Sequence, residues 1–232
     1  VSLSELDVFT LFPEWFAWLE ETRPVQRATA EGLRLRFRTP REYGLGRHRA
    51  VDDAPFGGGA GMVLRVDVIV AAVEGEYGAP LEEVRRERRI VALDPGGRPF
   101  DDAYARELAA ADRVTLLSGR YEGFDHRILE HVATESLSLG PFVLAGGEAA
   151  AMTVCDAVCR LLPGALGAAA SSEEESFSPA LGGALEYPHY TRPEEFRGWR
   201  VPEVLVSGDH GKVASWRAKM ARERRADDRS RL

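Results

Sequence analysis

A chain of 232 residues, 44% hydrophobic and 29% charged, has ample material for one large core, or for one domain with a small appendage. No apolar run is long enough to span a bilayer, and VSLSELDVFTLF at the N-terminus lacks the basic lead and continuous apolar stretch of a secretory signal, so a cytoplasmic protein is expected. The net charge of −7 argues mildly against a nucleic-acid partner, yet eight of the 30 basic residues fall in Arg23–Arg49 and eight more in Lys212–Arg231, stripes of the kind that phosphate contact uses and a solvated arginine-rich surface also produces.

Leu6–Leu11 reads as a buried strand, and Pro13 opens a helix to about Glu21 with Trp15, Phe16 and Leu19 as core packing. A short helix over Gln26–Glu31 stops at Gly32. Leu33, Leu35 and Phe37 then alternate with Arg34, Arg36 and Arg38, which predicts a half-buried strand with an outward arginine ladder. A basic loop follows to Ala50. In DDAPFGGGAGM, Asp52–Met62, three consecutive glycines can pack neither as helix nor as strand, so the loop is either flexible or wrapped close to something, and no Gly-Lys-Ser/Thr follows to make it a P-loop. Asp67–Glu76 reads as a helix. Arg89–Leu93 reads as a strand ending at the turn Asp94-Pro95-Gly96-Gly97, and Asp101 or Asp102 caps a helix to about Ala111. Arg113–Leu117 is a strand, Asp125–His131 a short helix, Val132–Leu137 a strand and Glu148–Leu161 a helix halted at Pro163-Gly164. This alternation predicts an α/β fold with a mostly parallel sheet.

Three segments are expected: a main domain over 1–163, a linker over 164–184 rich in Ala, Ser, Gly and Glu, and a small C-terminal domain over 185–232. In the last, Val201–Val206 reads as extended and Gly211–Arg225 as a basic helix with Val213 and Trp216 on its apolar side. Cys155 and Cys159, four apart on one helix, have poor disulfide geometry and read as small core residues in a reducing compartment.

Two glycine-bearing loops carry the strongest functional signal. LSGRYEGFD (Leu117–Asp125) and SLGPFVLAGGEAAAM (Ser138–Met152) each follow a strand and precede a helix. Ligands of open α/β sheets bind where strands end, and glycine lets backbone N–H and C=O groups approach a flat ligand. Gly119, Gly123, Gly140, Gly146 and Gly147 are therefore candidates to line one pocket, against the plainer reading of each as a turn residue.

LFPEWF, RHRAVDDAPFGGGAGM, LSGRYEGFDHR, SLGPFVLAGGEAAAM, YPHYTRP and VPEVLVSGDHGKVASWR occur in this order across nearly the whole chain. In them the chain resembles the bacterial tRNA (guanine-N1)-methyltransferases of the SPOUT class. The resemblance implies a deep trefoil knot, a homodimer with the active site between subunits, and S-adenosylmethionine bound bent in the knot. It also implies methyl transfer to N1 of the guanosine 3′ of the tRNA anticodon, and a Mg²⁺ requirement in some members.

Residue by residue, the resemblance places the cofactor at Pro95, Gly119, Tyr121, Glu122, Gly123, Leu139, Gly140, Pro141, Phe142, Val143, Leu144, Gly146 and Gly147. It matches Arg160 to the arginine that steadies charge on O6, and Glu175 to the position of the catalytic base. The family has aspartate there, so the extra methylene is a departure. Glu186 is the reserve carboxylate. Arg47, His48, Asp52, Gly58, Gly59, Glu186, His189 and Arg192 match the tRNA-facing positions. Asp94 replaces a small hydroxyl residue, Ala150 a proline, and the terminal RADDRSRL is shorter than usual, which implies a shortened tRNA-binding domain. A tRNA-binding protein that responds to the cofactor without turnover is the alternative reading, and an unrelated α/β nucleotide-binding protein a third.

Overall fold

Alternating side chains on short β-branched and apolar runs give the chain its layers. The computed structural model describes residues 2–166 and 175–229. Five strands form one sheet: β1 (Glu5–Phe9), β2 (Arg34–Arg38), β3 (Arg89–Pro99), β4 (Arg113–Ser118) and β5 (Glu135–Ser138). Their order is β2-β1-β4-β3-β5, and every pairing is parallel. The connecting helices are α1 (Arg23–Ala30), α2 (Val66–Tyr77), α3 (Leu81–Glu87), α4 (Asp102–Ala109) and α5 (Glu148–Cys159). Leu6, Val8, Val91, Val114 and Leu116 pack with α1, α4 and α5 on one face. Phe9, Ile90 and Leu117 pack with α2, α3 and the turn Ile128–Val132 on the other. A parallel sheet buried on both faces is the arrangement that βαβ crossovers impose.

Asp101 is the cap of α4: its carboxylate accepts the Tyr104 amide at 2.8 Å. Sequence periodicity left residues 77–88 unassigned. They contain α3, which starts after Pro80, with Glu82 and Glu83 in the first turn and Arg85 and Arg86 in the last, the charge order that a helix dipole favours.

Several expectations need correction. β3 does not end at Leu93. It loops out over Asp94-Pro95-Gly96-Gly97 and resumes, so that Leu93 and Arg98 both pair with Leu137. Gly97 lies so close to Leu137 that a Cβ there would enter its backbone, and glycine is what lets the strand rejoin. Within Val201–Val206, Glu203–Val206 is a helical turn rather than extended chain. The arginine ladder of β2 does not project freely. Parallel register sets Arg34 beside Glu5 and Arg36 beside Asp7. Arg34 bonds Glu5, and Arg36 donates from Nε to Asp7 Oδ1 at 2.6 Å.

These carboxylates belong to a buried polar cluster that sequence reading missed. Arg88, with its side chain 4% exposed, donates from Nη1 to Glu5 Oε2 at 2.6 Å and from Nη2 to Asp7 Oδ2 at 2.5 Å. Its Nε reaches Thr115 Oγ1 at 3.0 Å, and the Tyr77 hydroxyl donates to Asp7 Oδ2 at 2.9 Å. Burial alone would raise the Glu5 carboxyl, but the Arg88 hydrogen bond and the Arg88, Arg34 and Arg36 charges bring it below its ordinary value.

Both cysteines are free and buried on α5. Burial raises the Cys155 thiol well above its usual value and pushes Cys159 up to about 12, so neither forms thiolate near neutral pH. Iodoacetamide is expected to leave both unmodified in native protein and to label both in denaturant. Rapid native labelling, read by mass spectrometry, would contradict their place in the core.

The chain divides into two compact units, Val1–Leu166 and Gly167–Leu232. Of the expected linker, residues 167–174 lie outside the described residues. The second unit holds a short 3₁₀ turn at Pro179–Leu181, an antiparallel pair of Glu195–Phe196 with Trp199–Arg200, and the long helix α6 (His210–Arg229). Val213 and Trp216 are half-buried on α6, where Trp216 meets Tyr190 at 6.3 Å between ring centres and Arg217 covers Tyr187 at 4.6 Å.

Candidate functional site

The C-terminal ends of β4 and β5 and the loop that β3 throws out in mid-strand meet at one cavity of about 300 Å³. β3 contributes Leu93, Asp94 and Pro95. The loop after β4 contributes Gly119–Gly123. β5 and the loop after it contribute Leu137–Gly140, Phe142–Leu144, Gly146 and Gly147, and Ala150 comes from α5. The volume is at the small end of ordinary ligand pockets, which run from about 300 to 1,000 Å³.

The two loops are stitched together by backbone. Gly147 N donates to Gly119 O at 2.7 Å, and Arg120 forms an isolated antiparallel bridge with Gly146. A Cβ on Gly147 would come within 2.9 Å of the Gly119 amide nitrogen, so the close approach requires glycine. Within the second loop, Ser138 Oγ and the Gly140 backbone exchange contacts at 3.2 Å, and Phe142 N donates to Gly140 O at 2.9 Å. The glycine-rich stretch 54–62 is tied to the first loop: Glu122 N donates to Met62 O and Leu64 N to Gly123 O, both at 3.0 Å. Its ends are held by the antiparallel pair of Asp52–Asp53 with Val63–Leu64.

The cavity is thus a cradle of backbone and apolar surface with few charges, those of Asp94, Arg120 and Glu122. Asp94 is partly engaged, since its Oδ1 accepts the Gly96 amide at 2.8 Å. Arg120 spans the loops, its Nη1 donating to Ala145 O at 2.7 Å. Phe142, Val143 and Leu144 are exposed at 52%, 86% and 41%, so the apolar wall continues onto the surface. Such a site suits a largely flat, partly apolar ligand read by backbone groups.

All the residues matched to the cofactor line this cavity except Pro141. Sequence reading did not include Leu93, Arg120, Leu137 and Ser138, and it noted Asp94 and Ala150 only as departures from a pattern. Their signal was position: each adjoins a matched residue or ends a strand. Arg160 caps the C-terminal end of α5. Glu175 belongs to the second unit.

The residues matched to tRNA do not fall in one unit. Arg47 and His48 are exposed in a turn closed by Leu45 and Ala50, and Gly58 and Gly59 have φ of 78° and 135° in the glycine loop that follows Asp52. Glu186, His189 and Arg192 lie in the second unit, where His189 Nε2 sits 3.1 Å from Glu186 Oε2 and Arg224 Nη1 donates to the Glu186 carbonyl at 2.7 Å. Among the described residues no group of three or more His, Cys, Asp or Glu is placed to hold a metal ion, and no helix is long and apolar enough to cross a membrane.

The LFPEWF stretch also departs from expectation. Phe16 and Leu19 are buried, but Trp15 is 44% exposed and stacks on Phe12 at 4.4 Å instead of entering the core.

Comparison with known proteins agrees over nearly the whole length. The family model for tRNA (Guanine-1)-methyltransferase TrmD matches residues 4–232. A tRNA (guanine-N(1)-)-methyltransferase of Sorangium cellulosum is 51% identical over 245 residues, covering 98% of this chain and 92% of the relative. Proteins of the same name from Thermus thermophilus and from Dehalococcoides mccartyi strain 195 are 51% and 48% identical, covering 94% and 93% of this chain and 86% and 84% of theirs.

Proposed function

The chain belongs to the tRNA (guanine-1)-methyltransferase family, and from that premise we propose that S-adenosylmethionine binds in the cavity between the two glycine loops. The enzyme transfers a methyl group to N1 of a guanine in tRNA, and the guanosine 3′ of the anticodon is the proposed target. The observation that carries the reading is the backbone stitching of Gly119 to Gly147 around a cavity at the ends of β4 and β5 and the bulge of β3.

The residues present fit such a donor. Glycines leave backbone groups open to a flat ring, and Leu139, Phe142, Val143 and Leu144 offer apolar surface to it. When bound, S-adenosylmethionine supplies an electrophilic methyl group on a sulfonium. The chain's own task is then to position the base and manage one proton, because in-line transfer needs little covalent help. Guanine N1 carries that proton and is a poor nucleophile until it leaves. Glu175 is the proposed acceptor, Glu186 the reserve. Arg160 is proposed to offset the charge that builds on O6 as the proton departs.

The same reading assigns the rest. The path through the stitched loops is proposed to be a trefoil knot. Two copies are proposed to pair, with exposed Phe142, Val143 and Leu144 as apolar surface for that contact. Residues 1–163 are proposed as the catalytic domain. Residues 185–232 are proposed to bind tRNA, with Arg217, Arg222 and Arg224 of α6 among the cations that meet phosphates. Buried free thiols support a cytoplasmic setting.

One experiment tests the whole: incubate the protein with methyl-labelled S-adenosylmethionine and unmethylated tRNA, digest, and map the label. Label in N1-methylguanosine beside the anticodon is expected. Binding of both ligands with no label would make the chain a cofactor-responsive RNA-binding protein. Failure to bind the donor would overturn the reading of the cavity.

A further inference from the structure

The LFPEWF stretch has no part in the mechanism above, yet it reaches the cavity through one side chain. Arg120 lines the cavity, bridges Gly146 by its backbone and holds Ala145 O through Nη1 at 2.7 Å. Its Nε lies 3.8 Å from Glu148 Oε2 in the first turn of α5. Glu148 is only 3% exposed and accepts from Thr10 Oγ1 at 3.3 Å, so a buried carboxylate held in place lies beside the guanidinium as its charge partner. A Cβ on Gly146 would come within 2.7 Å of Arg120 Cδ, which means the arginine stem lies directly over that glycine.

The other side of the guanidinium is aromatic. Its carbon stands 4.8 Å from the centre of the Phe12 ring and 5.1 Å from that of Trp15. The two rings are themselves stacked, 15° from parallel. A guanidinium is a planar fork, and the direction of its hydrogen bonds follows the orientation of its plane. Aromatic faces attract the cation and bias that plane, worth about 0.5–1 kcal/mol at exposed sites and about 2 when desolvated, or roughly twofold to thirtyfold in an equilibrium. Trp15 does not line the cavity itself.

We propose that Trp15 is a positioning residue for the methyl-donor site. With Phe12 it orients Arg120, and Arg120 clamps Ala145–Gly147 against the first glycine loop. The inference rests on the reading of this cavity as the donor site. A purely packing role would predict little, because a ring 44% exposed has limited core burial to lose.

Titration calorimetry with S-adenosylmethionine decides it, using the full chain, Trp15→Leu, Trp15→Phe, Arg120→Met and the Trp15→Leu/Arg120→Met double variant. Trp15→Leu is expected to weaken donor binding about fivefold. Trp15→Phe, which keeps an aromatic face, should recover most of that. In the Arg120→Met background Trp15→Leu should change nothing further, since the path through the guanidinium is already gone. In steady state the loss should fall on the donor KM rather than kcat.

Wild-type affinity in Trp15→Leu, or the same fivefold loss on top of Arg120→Met, overturns the proposal. Should Trp15→Leu not fold, Arg120→Lys takes its place. It keeps the charge and loses the planar stack, and unchanged affinity there is equally fatal. No donor binding by the unaltered protein would instead remove the underlying site assignment, a result distinct from either.

Discussion

Glu175→Gln is expected to lower the rate of methyl transfer about 10² to 10⁴-fold, the usual worth of a positioned general base, while donor binding stays near wild type. Glutamine keeps the size of the side chain and its hydrogen-bonding ends but cannot accept the N1 proton. Donor affinity should hold because the cavity is lined by residues of the first unit. Single-turnover rates with saturating donor and tRNA, beside calorimetry of donor binding, separate the two effects. Near-normal turnover refutes the assignment and moves the role to Glu186, whose carboxylate lies 3.1 Å from His189 Nε2. Glu186→Gln would then show the loss. A fall in donor affinity equal to the fall in rate would mean that Glu175 supports the cavity instead of the proton transfer.

Arg88→Met should cost about 3 kcal/mol of stability, at the lower end of the range for breaking a buried ion pair. The substitution leaves Glu5 and Asp7 buried without one of the two cations that touch both, and frees Thr115 Oγ1 from its Nε donor. Arg36, which also reaches both carboxylates, keeps the loss from being larger. Urea unfolding measures it, and a change below about 1 kcal/mol would show that the cluster is not tightly coupled to folding. The same cluster sets an acid limit. The Glu5 carboxyl lies below its ordinary value of 4.5 in the folded chain. A depressed carboxyl contributes its full stability above the ordinary value and loses it as pH falls through the folded one. Wild-type stability should therefore hold down to about pH 5 and decline below, and in Arg88→Met that decline should be shallower because the depression is reduced.

Read along the chain alone, the α/β class, most strands and the two glycine loops were already legible. Those features depend on local rules: residues alternate with period two in strands, and glycine stands where backbone must approach closely. Gly119 and Gly147 lie 28 apart, yet each marks a strand end or a helix start in its own neighbourhood, so both could be named without knowing that they touch. Tertiary structure alone decided the rest. Arg88 meets Glu5 and Asp7 across 83 and 81 residues because β4 pairs in parallel with both β1 and β3, at whose start Arg88 stands, and no local pattern encodes register between distant strands. Gly97 looked like a turn residue until the pairing of both Leu93 and Arg98 with Leu137 showed a strand that resumes. Trp15 read as core because its spacing fitted a helix face, but the space beside it is filled by Arg120, a side chain from the loop after β4. Composition and periodicity specify which segments exist. The partners of charged and aromatic side chains are settled only when crossovers bring remote strand ends together, since Coulombic and stacking interactions depend on distance in space and not along the chain.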